Sequence, residues 1–147
     1  MDFGAQIKAW EDKANAAMNT GVCKAFESLG VDLVKLTGDM RVGGFSNGDM
    51  ANNWHVSEGG ATMVVPNGPD LSGTASLARI RALAKDQVFY KKDSVVFLTN
   101  VMGYAYRADV LGWKDVSQST NGWRWSGTVG AYGFTTTAIN NLKGKYF

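Results

Sequence analysis

Residues 3–36 read FGAQIKAWEDKANAAMNTGVCKAFESLGVDLVKL, and the fold turns on this stretch. Its apolar residues fall at Phe3, Ile7, Trp10, Ala14, Ala17 or Met18, Val22, Ala25 or Phe26, Leu29, Leu33 and Leu36, in steps mostly of three and four. That spacing predicts one long amphipathic α-helix. Asp2 can cap its start, Glu11, Asp12, Lys13, Lys24 and Glu27 take the outer face, and no proline interrupts it. Gly21 and Gly30 are its weak points. Unbroken, the rod is roughly 45–50 Å long, whereas a compact chain of this length has a radius of gyration of about 15 Å. The helix therefore either breaks near Gly30 or projects and packs on a neighbour. A projecting helix in a monomer would leave its apolar stripe in water, so projection argues for an oligomer.

Beyond the helix the texture changes. Gly38, Gly43, Gly44, Asn47, Gly48, Asn52, Asn53, Gly59 and Gly60 supply positive φ and local side-chain hydrogen bonds, which predicts a loop with a strand beginning near Trp54. The run ATMVV at 61–65 is β-rich and stopped by Pro66, so it is expected to form a hairpin or strand pair. Ser72 reads as the N-cap of a shorter helix over 74–85, whose Arg79, Arg81 and Lys85 lie toward its C-terminal end. The run SVVFLTN at 94–100 is apolar enough for burial on both faces and is expected to be the central strand. The Gly- and Trp-rich stretch around Gly112, Trp113, Gly122, Trp123, Arg124 and Trp125 suits turns and edge strands. Residues 135–142 can begin a last short helix or strand, and 143–147 read as a tail. The expected architecture is one α+β domain over 1–147. It comprises a long N-terminal helix (1–36), a Gly/Asn-rich loop (37–60) and a part (61–147) holding a small mixed or antiparallel β-sheet with the helix at 74–85.

Composition narrows the function classes. A chain of 147 residues that is 45% hydrophobic supports a core without disulfides or metals. The single Cys23 cannot pair within the chain, lies in the periodic helix as a core or interface residue, and points to a reducing compartment. No apolar run approaches the ~20 residues needed to cross a bilayer, and the N-terminus lacks the marks of a signal peptide, so neither spanning nor secretion is expected. The net charge of +2 hides an imbalance: residues 1–60 carry 5 basic and 8 acidic side chains, residues 61–147 carry 10 and 5. Head-to-tail complementarity between copies is one reading of it, and chance the other.

Chemistry is sparse. The only histidine, His55, has no nucleophile motif beside it, the carboxylates lack ligand spacing, and the glycines after Gly38 lack the Lys-Ser/Thr end of a phosphate loop. No catalytic residue, cofactor or metal is expected. The tryptophans and tyrosines suit core and subunit-interface packing.

Several motifs in order carry a resemblance. Residues 46–54, SNGDMANNW, stand where a family sequence Val-Asp-Thr-Gly-x-x-Arg-x-Asn-Trp would lie, retaining Gly48, Asn53 and Trp54. VFLTN at 96–100, ending in Asn100, is followed by Tyr104 and Ala105, then by Leu111, Gly112 and Trp113, and later by Gly122 and Trp123. In this order and spacing the chain resembles, over nearly its whole length, the neck and tail-completion (minor tail protein Z-like) family of long-tailed double-stranded DNA bacteriophages. The family's Asp-Thr-Gly is Ser46, Asn47, Gly48 here, its basic positions become Asp49 and Ala51, and the acidic residue before Gly-Trp is replaced.

The resemblance implies a non-enzymatic virion protein, assembled in the host cytoplasm into a homo-oligomeric ring at the neck or upper tail. Its partners would be its own copies and neighbouring neck, terminator or tail-tube proteins, with genomic DNA passing as non-specific cargo and no membrane. Gly48, Asn53, Trp54, Asn100, Tyr104, Gly112, Trp113, Gly122 and Trp123 would have structural or interface roles. A near-neutral charge suits DNA that must slide rather than stick. From other classes, the alternatives are a carbohydrate or host-surface binding module built on Trp113, Trp123 and Trp125, and a small hydrolase using His55. The Gly38–Gly60 loop is expected to be mobile until bound.

Overall fold

The three-and-four spacing carries α1 (Phe3–Asp39) without a break for 37 residues, a rod of about 55 Å. Its end lies three residues beyond the expected 36, and the chain passes Gly30 as continuous helix. The computed structural model describes residues 2–39, 48–85, 95–120 and 123–146, with 113–120 and 123–129 described by backbone alone. Gly122, Gly43, Gly44 and Asn47 thus lie outside the described residues, as does the 40–47 part of the loop.

After a 3₁₀ turn (Ala51–Asn53) come β1 (Trp54–Glu58), α2 (Thr74–Lys85) and β2 (Val96–Asn100). A π-helical turn (Arg107–Leu111) leads to β3 (Trp113–Thr120), β4 (Trp123–Val129) and α3 (Phe134–Tyr146). The fold is α+β. β1 and β2 pair antiparallel with Trp54 opposite Asn100 and Glu58 opposite Val96; β3 and β4 form a second antiparallel pair.

The core gathers where the last third of α1 meets α2, α3 and the start of β1. Leu33, Val34, Met50, Ala51, Trp54, Ile80, Ala108, Phe134 and Ala138 are buried there, with Leu29, Leu36, Val56 and Leu98 packed against them. At Gly30 the unbroken helix comes close to α2: a Cβ there would lie 2.8 Å from both Cδ1 and Cγ2 of the fully buried Ile80. Gly21 has nothing within 4 Å of its Cβ position. The two glycines should therefore respond oppositely. Gly21→Ala should gain about 0.5–1 kcal/mol in helix propensity. Gly30→Ala should lose about 1 kcal/mol net, because overpacking against Ile80 exceeds that gain. Denaturant melts check the order; a Gly30→Ala chain more stable than Gly21→Ala would contradict it.

Four expectations need correction. Residues 61–65 form no strand, because the loop is pinned immediately after them by side chains of the 3₁₀ turn. β2 is not central: it has β1 as its one partner among the described residues, and Val95 and Phe97 are exposed. The cap of α2 comes from Asp70 rather than Ser72. Its Oδ2 accepts from the Thr74 amide at 3.1 Å and its Oδ1 from the Ser72 amide and hydroxyl at 2.9 and 2.6 Å. Residues 143–146 continue α3 instead of forming a tail. The start of α3 is held by Asp109, whose Oδ1 accepts from the Thr135 amide at 3.1 Å.

Candidate functional site

Five of the nine motif residues converge on one polar node beneath the end of α1. Trp54 is its centre. Its ring packs edge-on against Phe134, with centroids 6.1 Å apart at 88°. The indole Nε1 donates to Thr37 Oγ1 at 3.1 Å, and that hydroxyl in turn donates back to Leu33 O at 2.7 Å. The Trp54 amide donates to Ser76 Oγ at 2.9 Å, and its carbonyl accepts from Arg79 Nε at 3.0 Å. One residue thus ties α1, β1, α2 and α3 together.

Asn53, fully buried, donates from Nδ2 to Asp49 O at 2.7 Å and Asn67 O at 3.1 Å, while its Oδ1 accepts from the Asn67 amide at 2.6 Å. Asn52 works beside it: Nδ2 donates to Gly68 O at 2.8 Å and Oδ1 accepts from the Ala75 amide at 3.0 Å. The pair satisfies backbone groups of Asn67 and Gly68 and the first turn of α2, which is why this buried corner tolerates so many polar groups. Gly48 has φ of +85°, and a Cβ there would run into the backbone of Asp70 and Leu71; its carbonyl accepts from the Asn52 amide at 3.0 Å. Asn100 reaches from β2 to donate to Met50 O at 2.8 Å and accepts from the Met102 amide at 3.1 Å. Tyr104 packs against the core next door, and burial, then the Asp49 charge, push its phenol up to about 12.

The remaining motif residues lie elsewhere. Gly112, with φ of 68°, closes the π-helical turn by donating to Arg107 O at 2.7 Å, Trp113 opens β3 opposite Val129, and Trp123 opens β4 opposite Thr120. Thr37, Asn52, Asp70, Ser76 and Arg79 belong to the node although the motif comparison did not select them. Only Asn52, next to Asn53 in the same quoted segment, carried a local signal.

The electrostatics fit a structural joint. Hydrogen bonds from Ser72, then Thr74, hold the exposed Asp70 carboxyl well below the usual carboxylate range, as a cap requires. His55 lies on β1 with Nε2 buried and without a partner; burial, then the charge of Arg79, lower its pKa from 6.5. Because the folded pKa is depressed, the unfolded chain takes up the proton more readily, so stability is unaffected above pH 6.5 and is lost as pH falls below it. His55→Gln should flatten that decline between pH 7 and 5 in denaturant melts. A decline equally steep in the variant would contradict the assignment. Among the described residues no group of three or more His, Cys, Asp or Glu could hold a metal ion, and no helix is long and apolar enough to cross a membrane.

The second feature is the other end of α1. Contacts from the body reach it at Cys23, whose Sγ donates to Ala84 O at 2.9 Å, and at Lys24, whose carbonyl accepts from Tyr146 Oη at 3.2 Å. N-terminal to this level α1 runs on for about twenty residues, some 30 Å of helix, on which most side chains are exposed. Along them Phe3 is 74% exposed, Trp10 72% and Met18 68%, with Ile7 and Val22 half exposed. These begin the same apolar series that ends in Leu29, Leu33 and Leu36 against the core. Its mean step of about 3.7 residues winds only slowly around the helix, so the series stays continuous from free end to core.

Searches against family models, curated proteins and solved structures found no match to this chain.

Proposed function

We propose that this chain is a non-enzymatic structural subunit of a bacteriophage virion, a neck or upper-tail protein that completes the tail. Its copies assemble as a ring that joins tail to head and lets DNA pass. The observation that carries the reading is the projecting half of α1. An isolated helix of twenty residues is marginal in water, and along its stripe Phe3, Ile7, Trp10, Met18 and Val22 are all at least half exposed. Monomers rarely leave such a surface uncovered. The ordered motifs, the opposite charges of the two halves of the sequence and the near-neutral total agree with a ring through which DNA slides. In this reading the Trp54 node is the joint that fixes the projecting helix to the body. Disrupting the gene in the phage that encodes it should leave filled heads and finished tails unjoined, with joining restored by supplying the chain. Normal virions from the disrupted phage would refute the proposal.

A further inference from the structure

The two edges of the β1–β2 sheet are treated differently by the fold. Gly59 donates to Val95 O at 2.9 Å and Val101 to Asn53 O at 3.1 Å, so residues 95, 97, 99 and 101 turn their backbone groups toward β1. Val96 and Leu98 therefore turn their N–H and C=O groups to the far side of β2. On the far side of β1 the first residue is covered, because the Trp54 amide and carbonyl are taken by Ser76 and Arg79 of α2. Among the described residues nothing closes the far side of β2. An apolar strand of this kind is ordinarily flanked on both sides, and an open edge is a template for another strand.

The same chain carries a strand without a sheet. ATMVV at 61–65 has the composition of a strand, makes no hydrogen bond among the described residues and holds Met63 and Val65 94% and 88% exposed. Both ends of this run are fixed on the β1 side: Ser57 Oγ donates to Gly60 O, and Asn53 grips Asn67. The run is therefore anchored at both ends to residues of β1 and the turn before it, not to β2.

We infer that residues 61–65 of one copy add as a third strand to the β2 edge of the next. Donor and acceptor are different segments of the chain, so the contact is head to tail and propagates into a ring or a filament. This rests on the multi-copy reading above and adds a second inter-subunit contact beside the α1 stripe.

The test uses the full chain, with light scattering across concentration and amide exchange measured residue by residue. Val64→Pro blocks the donor. Val96→Pro blocks the acceptor at the first position of the strand, where the amide faces away from β1. Assembly of the native chain should slow exchange at Val96 and Leu98, and each variant should raise the half-assembly concentration by about tenfold or more. A mixture of the two variants should regain two-copy complexes that neither forms alone. If Val96→Pro lowers the melting temperature, exchange in the native chain decides. Assembly with Val96 and Leu98 exchanging at monomer rates would overturn strand addition while leaving the multi-copy reading standing. A native chain that stays monomeric alone and with the neighbouring neck proteins would overturn both.

Discussion

Trp54→Ala should lower the unfolding free energy by about 3–5 kcal/mol, the range for truncating a buried tryptophan. The side chain is almost fully buried at the meeting point of α1, β1, α2 and α3, and three of its effects are lost together. Its apolar area leaves the core. The edge-on contact with Phe134 disappears, worth roughly 0.5–1.5 kcal/mol beyond burial. Thr37 Oγ1, itself buried, loses its donor. In a domain of this size the loss corresponds to a fall in melting temperature on the order of 10 °C. Trp54→Phe keeps most of the area but not the Nε1 donor, and should fall between. Denaturant melts of the three chains check the order. A loss below about 1 kcal/mol for the alanine variant would remove Trp54 from the centre of the core.

Paired substitution of Phe3 and Trp10 by aspartate should do the opposite: leave the body as stable as before, within about 0.5 kcal/mol, and strongly weaken the proposed assembly. Both side chains stand on the part of α1 that projects beyond its body contacts, so neither contributes to the core. Each covered aromatic is worth roughly 1.5–3 kcal/mol, so losing two should raise the assembly concentration by at least about a hundredfold. Light scattering across concentration gives the second number and melting the first. A doubly substituted chain that assembles like the native one would show that the exposed stripe is not the contact. One that unfolds would show that the stripe belongs to the fold.

Much of this architecture was legible in the sequence, and the failures have physical causes. α1, β1 and α2 could be read because helix and strand periods are local, and the projecting helix was one of two outcomes the length arithmetic allowed. Residues 61–65 were misread because β propensity reports only that side chains suit a pleated surface. Whether a neighbouring strand exists depends on Asn52 and Asn53 anchoring the loop from fourteen to sixteen residues away. The same blindness placed SVVFLTN in the middle of a sheet where β2 is an edge. Ser72 reads as the cap because it precedes the helix, yet the carboxylate of Asp70 reaches further and accepts more bonds. At the node, Gly48, Asn53, Trp54, Asn100 and Tyr104 lie in the sequence motifs on which the resemblance rests. Thr37, Ser76 and Arg79 join it by hydrogen bonds to residues seventeen to twenty-five positions away, which leave no trace in local pattern.

The most direct test of the proposed virion role is to quantify this chain by mass spectrometry in purified, intact particles of the phage that, on that proposal, encodes it. The chain should be present in a fixed, small number of copies per particle, as the proposed ring would give, and should remain with the tail or neck when heads are removed. Its absence from intact virions would contradict the account.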